Sequence, residues 1–295
     1  MAIKIYTKEY AGMFQSIFNS RARFLRSFGG SIQVKDGVKE TDKFLHLKTT
    51  SADVVIQAYN TGANVAFGTG TGNSNRFGQR QEIKAVDTSV EYESPLAIHE
   101  GVDSVTVNDI PDEVVAERLE AQALAWTEYE NALLAKALSD NASETLAGEL
   151  SNDGVTALFA AAHKKFVNNK VSRDITWVAY VNTDVYDYLV DNNLATTAKN
   201  SSANIDTQTL YAFKGFVLEE TPDVYFEEGE QVIFAADNVG VVGTGISMVR
   251  TLDSEDFFGV AIQGAAKYGK YIPDNNKKAI LKATLTAPAA PDAGL

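Results

Sequence analysis

Three histidines are the side chains best suited to acid–base chemistry near neutral pH, and they stand far apart, at His46, His99 and His163. None sits in an HExxH pair or a comparable metal-binding spacing. His99 precedes Glu100 and could be oriented by it as a general base, but no GxSxG nucleophile lies nearby. His163 precedes Lys164 and Lys165, which suits a solvated or partly packed side chain. Gly68-Thr-Gly-Thr-Gly-Asn73 has the glycine density of a phosphate-cradling loop without the Gly-Lys-Ser/Thr ending, and no βαβ pattern follows. The glycines at 240, 243 and 245 fit a tight turn between strands. Glu219-Glu220 and Glu227-Glu228 could hold a cation, yet adjacent residues of a strand point to opposite faces, so solvated surface is expected. Cysteine is absent, which removes thiolate catalysis, thiolate metal sites and disulfides. These residues imply no catalytic centre, no cofactor and no metal.

Charge carries more information. The formal net charge is −13, but residues 1–50 hold nine Lys and Arg against four acids, leaving −18 for the rest. Such asymmetry marks a basic arm that contacts something acidic. Arg21, Arg23 and Arg26 are interleaved with Phe14, Phe18, Phe24 and Phe28, and Arg76, Arg80 and Lys84 form a second basic group. An acidic neighbouring copy is the expected partner for both groups. Nucleic acid is the weaker candidate, because a body at −18 repels a phosphate backbone. The alternatives are a first segment docked on its own core, and ordinary solubilising charge in the second.

The elements that place these residues can be read from periodicity. Phe14, Phe18 and Leu25 fit a short amphipathic helix ended by Gly29-Gly30, and Phe44–Lys48 alternates as a strand. Asp53–Tyr59 and Ile83–Tyr92 are strand-like and predict a long hairpin around Asn60–Gly78, which holds five glycines and four asparagines. A loop of that length inside a compact domain is usually functional or disordered. Leu96–Asn108 reads as a further strand. A helix starts at Pro111, with Asp112 and Glu113 in its first turn, and extends to Leu138. Val115, Leu119, Trp126, Tyr129, Leu133 and Ala137 form one stripe on it, while Leu124 and Leu138 lie opposite, so it needs cover on two faces.

A smaller α/β unit follows. Its expected parts are a helix over Gly154–Asn168, a strand over Ile175–Val181, a helix capped by Thr183 and ending near Leu189, and strands at Gly215–Glu219, Gln231–Ala235 and Val239–Val242. Closing strands are expected at Phe257–Gln263 and Ala279–Leu285, with a loose tail after them. Composition is ordinary for a globular protein, with 45% hydrophobic and 22% charged residues. The first ten residues lack the apolar run of a secretion signal, and no apolar run approaches membrane-spanning length.

This order of parts resembles the major capsid protein of tailed bacteriophages, most closely those of siphophages infecting Gram-positive bacteria. The residues that carry the likeness are Leu96–Asn108 leading into Ile110-Pro-Asp-Glu-Val-Val115, and Asp256-Phe-Phe-Gly-Val-Ala-Ile262. The resemblance implies an α+β, Hong Kong 97-like fold, which bacterial encapsulins share. It assigns residues 1–50 to an amino-terminal arm, 51–95 to an extended loop, 96–145 with 252–286 to a peripheral domain, and 146–251 to an axial domain. It implies a structural protein that assembles with itself into pentamers and hexamers around double-stranded DNA, with the DNA only weakly contacted. Scaffolding and portal proteins would be separate partners, no membrane is involved, and the product is a virion shell built in the host cytoplasm. In that setting Arg21, Arg23, Arg26, Arg76, Arg80 and Lys84 are the candidate inter-subunit contacts. An encapsulin-type shell protein and a phage tail or adhesin protein are the alternatives.

Overall fold

The computed structural model describes residues 22–34, 43–49, 54–63, 65–66, 75–106, 111–194, 203–204, 209–210 and 212–286. The chain divides into two compact units, Thr41–Glu91 and the remainder. A short 3-10 helix, Phe24–Phe28, precedes β1 (Gln33–Val34). β2 (Lys43–Thr49) and β3 (Val86–Glu91) form the ladder of the smaller unit. β4 (Leu96–Asp103), α1 (Pro111–Asp140), β5 (Thr145–Glu149) and α2 (Asn152–Asn168) follow. Next come β6 (Trp177–Val181), α3 (Thr183–Leu194) and three two-residue strands, β7 (Ala203–Asn204), β8 (Thr209–Leu210) and β9 (Ala212–Phe213). β10 (Phe216–Glu220), β11 (Glu230–Ala236), β12 (Val241–Asp253), β13 (Gly259–Tyr271) and β14 (Ile280–Thr286) complete the order.

The main core lies on a six-stranded sheet in the order β5-β14-β11-β6-β10-β9. β6 is buried at all five positions, as expected of a strand covered on both faces. On one face α2 presents Val155, Leu158, Phe159, Ala162 and Phe166, all buried at helical spacing. Ser151 caps this helix by accepting from the Gly154 amide at 3.1 Å. A side chain at Gly154 would lie 2.2 Å from the Glu149 carbonyl oxygen, so only glycine fits so close to β5. On the other face Phe24 stacks on Tyr180 with ring centroids 4.4 Å apart, and Ser27 shares a hydrogen bond with the Tyr180 hydroxyl. Gly29, at φ +89°, ends the 3-10 helix in the left-handed conformation.

α1 joins this core to a second one. Its 30 residues give a length of about 45 Å. Proline at the first position lacks an N–H that the helix could not have paired, and it presets φ. At the other end the Asn141 side chain donates to the Ala137 carbonyl at 2.9 Å. Leu134, Ala135, Ala137 and Leu138 enter the main core. Leu133, with Trp126 and Tyr129, packs on Ala266 and Tyr268 of β13. Two apolar faces on one helix thus serve two sheets, the second having the order β1-β12-β13-β4.

Several sequence expectations change. α3 continues to Leu194, and its cap is Asn182, whose side-chain oxygen accepts from the Val185 amide at 3.1 Å, instead of Thr183. Gly243 and Gly245 lie within β12; they are not in a turn between strands. A side chain at Gly245 would meet the Tyr92 ring at 2.8 Å, beside a register shift between Thr244 and Ile246, so close approach and a bulge explain the glycine. Both closing strands form, but Ile280–Thr286 is in a different sheet from β13. It pairs with β11 and β5 in the six-stranded sheet.

In the smaller unit β2 pairs antiparallel with β3, placing Lys43 opposite Glu91 and Lys48 opposite Asp87. Opposite charges across a ladder favour that register, weakly where solvent screens them. Residues 54–60 are therefore not the partners of Ile83–Tyr92. They lie further out, where the Gln57 amide donates to the Gln79 carbonyl, the Gln79 amide donates back to Gln57, and the Asn60 amide donates to the Arg76 carbonyl. Three steps forward from 57 to 60 match three steps back from 79 to 76, so the antiparallel course persists beyond the ladder. The Gly68–Asn73 segment lies outside the described residues.

Candidate assembly surfaces

The histidines do not converge. His99 and Glu100 occupy opposite faces of β4: Glu100 pairs with Arg118 and accepts from Gln122 at 2.9 Å, while His99 lies 3.4 Å from Gln263. The Arg118 hydrogen bond, helped by Gln122, holds the Glu100 carboxyl below its usual range, as suits an anchored carboxylate and not a base. Among the described residues no group of three or more metal-ligating side chains is found. No helix there is long and apolar enough to cross a membrane.

Of the basic candidates, Arg21 lies outside the described residues. Arg23 and Arg26 flank and enter the 3-10 helix and are matched within their own chain. Arg23 bonds Glu219 at 3.4 Å and the Glu220 carbonyl, and Arg26 grips both oxygens of Asp237 at 2.8 and 3.1 Å. Arg76 donates to the Val65 carbonyl at 3.1 Å and shapes the loop that carries it. Lys84 pairs with Glu82 at 3.3 Å, both about three-quarters exposed. Arg80 is exposed and makes no ion pair among the described residues. Arg23 and Arg26 belong to the larger unit, and Arg76, Arg80 and Lys84 to the smaller.

The feature that charge counting missed is apolar. Seven large hydrophobic side chains between Val54 and Val86 are exposed, more than in all the rest of the described chain. Val54 and Ile56 are 94% and 95% exposed, and Phe77, edge-on to Tyr59 at 5.2 Å, is 78% exposed. The signal was present in the sequence as Val54-Val55-Ile56, read there only as part of a strand-like flank of the hairpin. So many exposed apolar side chains in one stretch of chain are the kind of surface that marks a contact site.

One part-buried carboxyl lies where α1 meets β13. Burial raises the Glu130 carboxyl above its ordinary range, and the 2.8 Å hydrogen bond from Tyr268 opposes this only in part. A carboxyl raised on folding stabilises the fold fully below its unfolded value, about 4.3, and that contribution is lost as pH rises through the folded value. Glu130→Gln keeps an acceptor for Tyr268 and removes the charge. It should raise stability at pH 7, by about 1 kcal/mol or less given partial exposure, and flatten the decline above pH 4. Thermal melts of the two chains from pH 4 to 8 provide the check.

The elements above define a mixed α/β fold. By sequence the chain matches no family model and no curated protein. By structure it is similar to a chain of Mycobacterium phage Che8, at 20% identity and a TM-score of 0.61, over 83% of this chain and 85% of that one. It is similar to the mature capsid protein of bacteriophage PhiM1, at 11% identity and 0.67, over 91% and 88%. The capsid of the cyanophage P-SCSP1u matches at 10% identity and 0.65, over 92% and 90%.

Proposed function

We propose that this chain is the major capsid protein of a tailed bacteriophage, a structural protein and not an enzyme, which assembles with itself into the shell around double-stranded DNA. The observation that carries the reading is the hairpin of residues 43–91, whose large apolar side chains face solvent in the single chain. Such surface is costly unless a neighbour covers it. The fold shared with phage capsids supplies the kind of neighbour: another copy. Permanent interfaces bury about 2,000–5,000 Å² and are rich in apolar and aromatic side chains, and contacts of unlike patches close into rings.

In this reading the arrangement is Hong Kong 97-like. Residues 51–95 are the extended loop, 96–145 with 252–286 the peripheral domain, and 146–251 the axial domain, with β14 reaching across to the axial sheet. Residues 1–50 are the arm, whose Phe24–Phe28 segment anchors it in its own subunit through Arg23 and Arg26. Arg80 and Lys84 are the basic residues left to meet a neighbour. Pentamers and hexamers form in the host cytoplasm with separate scaffolding and portal proteins. Deleting residues 60–78 tests the proposal. The truncated chain should stay folded and fail to form particles in sedimentation, whereas particles indistinguishable from wild type would overturn the role given to the hairpin.

A further inference from the structure

The six-stranded sheet has two chemically opposite ends. β6 and β10 run parallel from Trp177 and Phe216 to Val181 and Glu220. β11 runs back to end at Ala236 opposite Trp177, and β14 starts at Ile280 opposite Ala235. The C-terminus of α2 reaches the same end, where Asn169 donates to the Lys278 carbonyl at 2.8 Å. Lys164, Lys170, Arg173, Lys214 and Lys278 are exposed there. Among the described residues none of the five makes an ion pair. Of the nearby acids, Glu144, Asp237 and Asp274 are matched by Lys165, Arg26 and Lys277, and Asp174, exposed and bonded to Ser172, leaves the end basic by the excess of the five cations.

The other end is the reverse. It gathers the ends of β5, β6 and β10 and the start of α2, whose preceding Leu150 amide donates to Thr286 at 2.8 Å. Glu149, Asp153, Asp184, Glu220, Asp223 and Glu228 are exposed here, and none makes an ion pair among the described residues.

The basic end is held in place. The Arg173 guanidinium lies 4.9 Å over the Trp177 ring, with its nitrogen 2.6 Å from His163 Nε2, so its rotamer is set before any partner arrives. Lys170 and Lys214 both adopt left-handed backbone, at φ +58° and +50°. Glycine or asparagine would sit there more easily, and strain of this kind gathers at working sites.

We propose that the basic end of this sheet in one copy meets the acidic end in the next, so that unlike ends join head to tail around a ring. The inference deepens the shell reading above and rests on it. A second copy is the fitting occupant because the complementary carboxylates belong to the same module, and a head-to-tail contact between unlike patches closes into a ring. Nucleic acid fits less well, since its phosphates would also face the acidic end of a chain with net charge −13.

Two variants test this. Lys164→Glu, Lys170→Glu and Lys214→Glu together leave only Arg173 and Lys278 at the basic end and turn it net negative, and Glu149→Lys, Glu220→Lys, Asp223→Lys and Glu228→Lys together leave only Asp153 and Asp184 at the acidic end and turn it net positive. Each alone should raise the concentration needed for assembly by about tenfold or more, because like charges then face each other. An equimolar mixture should restore six-membered rings, in which the two chains can alternate, while a five-membered ring keeps one like-charged contact. Near-ultraviolet circular dichroism and melting temperature establish that each variant is folded. Variants that assemble like wild type, or a mixture no better than its parts, overturn the proposal while leaving the shell reading intact. So does a lysine variant that loses only retention of a double-stranded DNA fragment. A wild-type chain that never assembles overturns both.

Discussion

Ile56→Asp should abolish particle formation and leave the subunit folded. Ile56 is 95% exposed in the single chain, so the substitution should change folding stability by no more than about 0.5 kcal/mol. At a contact between copies the cost is different. Burying an isoleucine side chain is worth about 1.5–3 kcal/mol, and an unpaired carboxylate in its place adds a desolvation cost of similar size or larger. Each 1.4 kcal/mol is roughly tenfold in an equilibrium constant, so the contact should weaken by at least two orders of magnitude. Because every copy repeats the defect, assembly should fail outright. Sedimentation velocity reads the particles, and a urea titration reads the fold. A chain that keeps assembling would mean that the hairpin is not what holds copies together.

The second large effect concerns the fold itself. Phe216 is fully buried and touches Phe159, Phe166, Trp177 and Phe234 with ring centroids 5.0–6.1 Å apart. Truncating a buried phenylalanine costs about 3–5 kcal/mol, a large share of the 5–15 kcal/mol typical of a domain. Phe216→Ala should therefore lower the urea midpoint of the unassembled subunit sharply, with little change in slope. Because Phe216 joins α2 to the sheet, the loss should appear together in far- and near-ultraviolet signals. A loss below about 1 kcal/mol would mean that this aromatic cluster is not the anchor of the module.

These two residues show what the sequence could and could not convey. The α2 stripe of Leu158, Phe159, Ala162 and Phe166 was legible because helical spacing encodes one buried face. α1 was legible for the same reason, and its two apolar faces foretold two sheets. Strand partners were not. Period-2 alternation says which face is buried but not which strand lies alongside, so β14 could not be assigned to the six-stranded sheet from its residues alone. In the hairpin, the apolar run Val54–Ile56 masked the true ladder. The charges that select it, Lys43 with Glu91 and Lys48 with Asp87, lie about 40 residues apart in sequence. The intrachain partners of Arg23 and Arg26, Glu219 and Asp237, lie about 200 residues away, where no local pattern could point to them.

The central claim is that residues 43–91 present surface meant for another copy, so that the working form is a lattice. Electron microscopy of the purified protein tests it most directly. The account predicts closed shells, tubes or rings of five and six subunits, with the hairpin of each copy lying on its neighbour. A protein that stays dispersed as a monomer at high concentration, with its apolar hairpin still exposed, would contradict it.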